Sequence, residues 1–200
     1  MKKYLKYCLI SLVLCSCAKS EEMDGREYLS WVNNTDNGLK LTKELRGITY
    51  SVQYKPYDFI ILKEEKKYNV SKSSLEYRTK ELDGMVYYDI RISTLDKTDV
   101  LAKGIQQDKS LYIQRVNYFS YDFQNNISLI TETDSVTCGL YHFVQGYGIT
   151  PYVDMVVGFP VQKINESQTL VIDDQVFGNG IIKFFIDKQN IKNIPHLATT

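Results

Sequence analysis

The sequence predicts an α+β domain that is mainly antiparallel β-sheet, a sandwich-like or curved sheet, with one or two helices packed on it. Three observations carry that expectation. Apolar and polar residues alternate in several runs, the period of a strand with one buried face. Short joints rich in glycine, asparagine and aspartate separate those runs, and short joints favour antiparallel neighbours because parallel strands need long crossovers. One stretch, residues 108–126, instead places Tyr112, Val116, Phe119 and Phe123 at spacings of four, three and four, one stripe of a helix.

The first sixteen residues stand outside that domain. Lys2, Lys3 and Lys6 form a basic head, and the apolar core that follows, residues 8–14, is much shorter than the roughly 20 residues a membrane-spanning helix needs. This is the build of a secretory signal. Its end, Leu14-Cys15-Ser16-Cys17, resembles the lipobox of bacterial lipoproteins: an apolar residue, two small ones, then the cysteine that takes the lipid. The resemblance is confined to residues 1–22. It implies a diacylglyceryl group on the Cys17 sulfur, cleavage after Ser16, and acylation of the new amino terminus. The implied partner is a membrane, reached through covalent lipid, since each buried methylene contributes about 0.8 kcal/mol and several chains together hold firmly. Ala18 stands where many lipoproteins of the inner membrane carry aspartate, so the resemblance points to the outer membrane. Lys19-Ser20-Glu21-Glu22 resembles a charged signal for export to the outer face, and a charged tether has the same composition. Residues 17–26 are thus expected to be a lipidated start and tether, and residues 27–200 a single globular domain.

Within that domain a short helix is expected over 27–32. Leu39, Leu41 and Leu45 then alternate with Lys40, Thr42 and Glu44, and Ile48, Tyr50, Val52 and Tyr54 with Thr49, Ser51, Gln53 and Lys55; Arg46-Gly47 between them makes a hairpin. A helix can start at Pro56. Ser73 and Glu76 have capping-box spacing ahead of Leu75, Tyr77 and Leu82, with Gly84 to stop the turn. Val86, Tyr88, Ile90 and Ile92 form another half-exposed strand. After the helix at 108–126, which is expected to lie across the sheet, strands are read at 127–133, 136–145, 152–159, 170–173 and 181–187. Asp134-Ser135, Gly146-Tyr147-Gly148 with Pro151, and Gly178-Asn179-Gly180 supply their joints. The tail, residues 191–200, reads as a loose or edge-covering end.

Charge and cysteine content narrow the function. Losing residues 1–16 removes three lysines and leaves 21 basic against 24 acidic side chains, a net charge of −3 that suggests no nucleic-acid partner. Of four cysteines only Cys138 remains unlipidated in the mature chain, so no internal disulfide is expected. The sixteen tyrosines are read chiefly as strand-packing residues, with a binding surface as the alternative.

Candidate chemistry is sparse. Asn33, Asn37, Gly38 and Glu44 imitate a calcium loop, but Lys40 occupies a position that should be apolar and the second half already reads as a strand. Cys138 and His142 lie on one face of an expected strand yet about 13 Å apart along it, too far for a nucleophile and its base, so a buried structural thiol is expected. His196 is the only other histidine, which excludes a three-histidine zinc site. Asp173 and Asp174, adjacent in a strand, point to opposite faces and read as a turn-flanking pair. Asp89, Glu132 and Asp154 fall on separate strands, and whether they converge is left to the fold. No catalytic residue, metal ligand or cofactor is assigned. The leading expectation is a non-enzymatic envelope lipoprotein, a binding or assembly component with an envelope protein or a glycan as partner. The alternative is an extracytoplasmic hydrolase of glycans or peptides.

Overall fold

The computed structural model describes residues 22–144, 146 and 150–200. The signal segment 1–16, the cleavage point at Ser16, Cys17, tether residues 18–21, and Gln145 and Tyr147-Gly148 of the expected strand and joint lie outside the described residues.

The described chain opens with β1 (Glu22–Met23) and α1 (Gly25–Asn33), which Asp24 caps by accepting from the backbone N–H of Arg26 and Glu27. Residues 22–26, expected to be tether, therefore belong to the folded part. The hairpin β2 (Lys40–Leu45) and β3 (Ile48–Lys55) turns at Arg46 and Gly47, both at positive φ. Pro56 fixes the start of α2 (Tyr57–Glu65), and Ser71, not Ser73, caps α3 (Lys72–Leu82) by accepting from Ser74. β4 (Met85–Thr94) leads to α4 (Lys109–Asn117), which runs on through a π turn (Tyr118–Asp122) and a 3₁₀ turn (Phe123–Asn126). The remaining elements are β5 (Ile127–Ile130), β6 (Ser135–Thr137), β7 (Leu140–Val144), β8 (Tyr152–Pro160), β9 (Gln168–Asp174), β10 (Gly180–Ile186), α5 (Lys188–Lys192) and β11 (His196–Leu197).

The architecture is α+β and mainly antiparallel. A five-stranded sheet in the order β2-β3-β4-β8-β7 and a four-stranded sheet in the order β10-β9-β5-β6 are antiparallel at every pairing. Their alternating residues meet in one core: Tyr50, Val52, Tyr88, Ile90, Met155 and Val157 from the first, Leu129, Leu170, Ile172, Ile182 and Phe184 from the second. Each such buried side chain contributes about 1.5–3 kcal/mol, which fixes the register because a one-residue slip would expose the whole set. Tyrosine suits this interior, since its ring packs while its hydroxyl crosses to the other sheet: Tyr50 donates to Asp174 and Tyr88 to Gln168.

The helix at 108–126 differs from its expected place. Phe119 and Phe123 are buried, Tyr112 and Val116 only partly. Instead of lying across one sheet, the segment touches β7 of one sheet and β9 of the other: the Tyr141 hydroxyl donates to the Phe119 carbonyl, and Phe119 stacks on Phe177 beyond β9. The expected strand 136–145 is in fact two. The chain leaves the four-stranded sheet after Thr137 and joins the five-stranded sheet at Leu140, and Cys138-Gly139 make the corner. The tail is not loose. β11 pairs in parallel with β1, and Ile191 and Leu197 are buried.

Candidate functional site

Most polar positions of β2, β3, β4 and β8 face outward from the five-stranded sheet, Lys43 and Thr94 being inward exceptions, and register lines the outward ones up in rows. Lys40 lies opposite Gln53 and Gln53 opposite Asp89; Ser51 lies opposite Arg91 and Arg91 opposite Asp154. The end of α1 at Asn33 and the flank of α2 at Phe59 and Lys63 border this surface, leaving a groove of about 380 Å³. That is near the lower end of small-ligand pockets, roughly 300–1,000 Å³. Gln53 is buried and helps fix the border, because its amide donates to the Val32 carbonyl at the end of α1.

Two ion pairs organise the floor. Arg91 grips Asp154 with two parallel bonds of 2.7 Å, Nε to Oδ1 and Nη2 to Oδ2, and its guanidinium sits 3.7 Å from the Tyr152 ring centroid. The pair holds the Arg91 pKa above its ordinary value, the hydrogen bond that Arg91 donates to Asp154 being the main cause. Lys55 lies 2.9 Å from Asp89. Lys40 and Lys63 also line the groove, and among the described residues neither forms an ion pair. The lining thus holds four cations against two carboxylates.

Asp89 and Asp154, left open by the sequence, do come together. They are diagonal neighbours on β4 and β8, about 7–8 Å apart in such sheets. Glu132 does not join them. It sits beyond β5, where Lys188 and the Ser167 N–H hold its pKa below the ordinary value. The other sequence candidates are structural or scattered. Asn33 ends α1, residues 34–38 form a polar turn with Gly38 at φ 70°, and Glu44 lies apart from it in β2. Cys138 is partly buried at its corner, not fully buried, donating to the Leu140 carbonyl, and burial pushes its pKa up. His142 is exposed on β7, and His196 is exposed on β11. Asp174 is buried and accepts from Tyr50 and from the backbone N–H of Val176, Phe177 and Asn179, while Asp173 faces out.

A second cavity of about 400 Å³ lies by Pro160, Val161 and Glu166, whose carboxylate accepts from Thr133. Its lining holds two acidic side chains, Asp134 and Glu166, and one cation, Lys163, which lies 3.6 Å from Glu166. Among the described residues no three His, Cys, Asp or Glu side chains cluster as a metal site, and no helix is long and apolar enough to cross a membrane.

No family model and no curated protein matches this sequence, and no solved structure matches this fold.

Proposed function

We propose that the chain is an envelope lipoprotein, held at the outer membrane through lipid on Cys17, whose domain binds a ligand or assembly partner without catalysing a reaction. One observation supports binding over hydrolysis: both carboxylates of the groove already serve a cation. Asp89 and Asp154 both line the groove as diagonal neighbours, and a pair of carboxyl groups in one groove is what a glycan hydrolase uses; this is the observation that favours the alternative. Such chemistry, however, needs one carboxyl that keeps a proton to give to the leaving group. Asp154 has both oxygens committed to Arg91, and Asp89 faces Lys55, so neither is placed to act as that acid.

Two measurements test the reading. Cys17→Ser should leave the membrane fraction for the soluble one, while Cys15→Ser should stay; a Cys17→Ser chain that survives a high-salt wash on the membrane overturns the anchor. Incubated with peptidoglycan and with acidic and neutral polysaccharides, the purified protein should release no new reducing ends. Release that disappears in Asp154→Asn establishes the hydrolase in its place.

A further inference from the structure

We infer that the groove on the outer face of the five-stranded sheet is a binding site for an acidic glycan, a hydroxyl-rich saccharide carrying carboxylate groups. The inference rests on reading the groove as a binding site and deepens it. Charge comes first. The mature chain is expected to carry −3 overall, yet the groove lining carries four cations and two carboxylates. The two carboxylates are matched by Lys55 and Arg91, so the surplus resides on Lys40 in β2 and Lys63 in α2. A local positive field on a negative protein draws an anion to this face.

The neutral groups specify the rest of the ligand. The Gln53 side chain is 93% buried, and its Nε2 is committed to the Val32 and Tyr54 carbonyls, so its Oε1 is left as an acceptor with no donor among the described residues. Asn33, at the exposed rim, also has its Nδ2 bound to a carbonyl, that of Leu29. Open acceptors beside ammonium groups that lack an ion pair suit a ligand that brings several hydroxyl donors together with negative charge, and an inorganic anion such as phosphate brings at most two O–H groups on one small centre. A neutral sugar is disfavoured for a different reason. Such ligands gain much of their affinity by laying a C–H face on an exposed aromatic ring, and the one aromatic side chain in the lining among the described residues, Phe59, is 3% exposed.

The test is calorimetric titration of the full-length protein in detergent with oligogalacturonate, a neutral oligosaccharide of equal length, and sodium phosphate. Oligogalacturonate should bind, more weakly as salt rises, and the other two should not. Lys40→Ala and Lys63→Ala should each weaken binding about tenfold, the usual cost of a charge-assisted contact. Lys183→Ala, on the outer face of the other sheet, should leave it unchanged. Absence of oligogalacturonate binding, equal binding of phosphate, or binding indifferent to both Lys40→Ala and Lys63→Ala overturns the inference. Those failures leave the membrane anchor untouched, and cleavage of a bound saccharide would overturn the non-enzymatic reading while sparing the binding site.

Discussion

The two sheets distribute polarity in opposite ways. The five-stranded sheet keeps the inner face of its central strands apolar but for tyrosine hydroxyls and Thr94, with Lys43 of the edge strand over the Phe184 ring, and gathers its ion pairs outside, where Lys55 meets Asp89 and Arg91 meets Asp154. The four-stranded sheet buries polar side chains inside and shows large apolar ones outside, among polar residues such as Asp173 and Lys183. Its inner side carries Gln168 and Asp174, both buried, and its outer side shows Ile130, Ile181 and Phe185, all exposed. The difference teaches what each arrangement costs. A polar atom inside must find a partner or lose about 1–3 kcal/mol, so each inward polar group of the second sheet faces a tyrosine hydroxyl of the first. Charges outside need no such match, and an outer face can carry ion pairs or apolar side chains with little change in stability.

The largest expected effect follows from the inward aspartate. Replacing Asp174 with alanine strips the acceptor from Tyr50 and from three backbone N–H groups of the β9–β10 turn. Several donors lose their partner at once, so the variant should lose roughly 3 kcal/mol or more in a urea titration. Asp173→Ala, one residue away and facing out, should change stability by less than about 0.5 kcal/mol. Equal losses at the two positions would break the contrast between the faces.

A smaller effect is expected at the ion pairs. Arg91 and Asp154 have ideal geometry, but their side chains are 48% and 28% exposed, and a double-mutant cycle should give about 0.2–1 kcal/mol of coupling that shrinks as salt is added. A coupling well above that range would mean that the groove is less open to water than its exposure indicates.

Part of this was legible in the sequence. In β3 and β4 strict alternation separates the core residues from Ser51, Gln53, Lys55, Asp89 and Arg91, so the polar face itself could be read from period alone. The groove could not, because its charges come from β2, β3, α2, β4 and β8, and only sheet order and register bring them together. Nothing local says that β8 inserts between β4 and β7. The sheet change at Cys138-Gly139 was hidden for a related reason: both halves alternate correctly, and a corner that preserves the period leaves no mark in the pattern. Helix 108–126 announced its apolar stripe but not its target, since a stripe that bridges two sheets has the same spacing as one lying on a single sheet.

The last prediction concerns the outer side of the four-stranded sheet, where the sequence was least informative. Ile181-Ile182-Lys183-Phe184-Phe185-Ile186 is nearly continuous in apolar residues, the pattern of a strand buried on both faces. In the structure only Ile182, Phe184 and Ile186 are buried, while Ile181 is 67% and Phe185 57% exposed. Replacing Phe185 with threonine therefore removes little buried area and keeps a good strand former. The variant should then stay within about 0.5 kcal/mol of the parent, in contrast to the 3–5 kcal/mol typical of truncating a buried phenylalanine. It should also bind less of a hydrophobic dye, because an exposed apolar surface is what such a dye reports. A loss above about 2 kcal/mol would mean that Phe185 is covered, and the inverted polarity of the second sheet would then describe only its inner face.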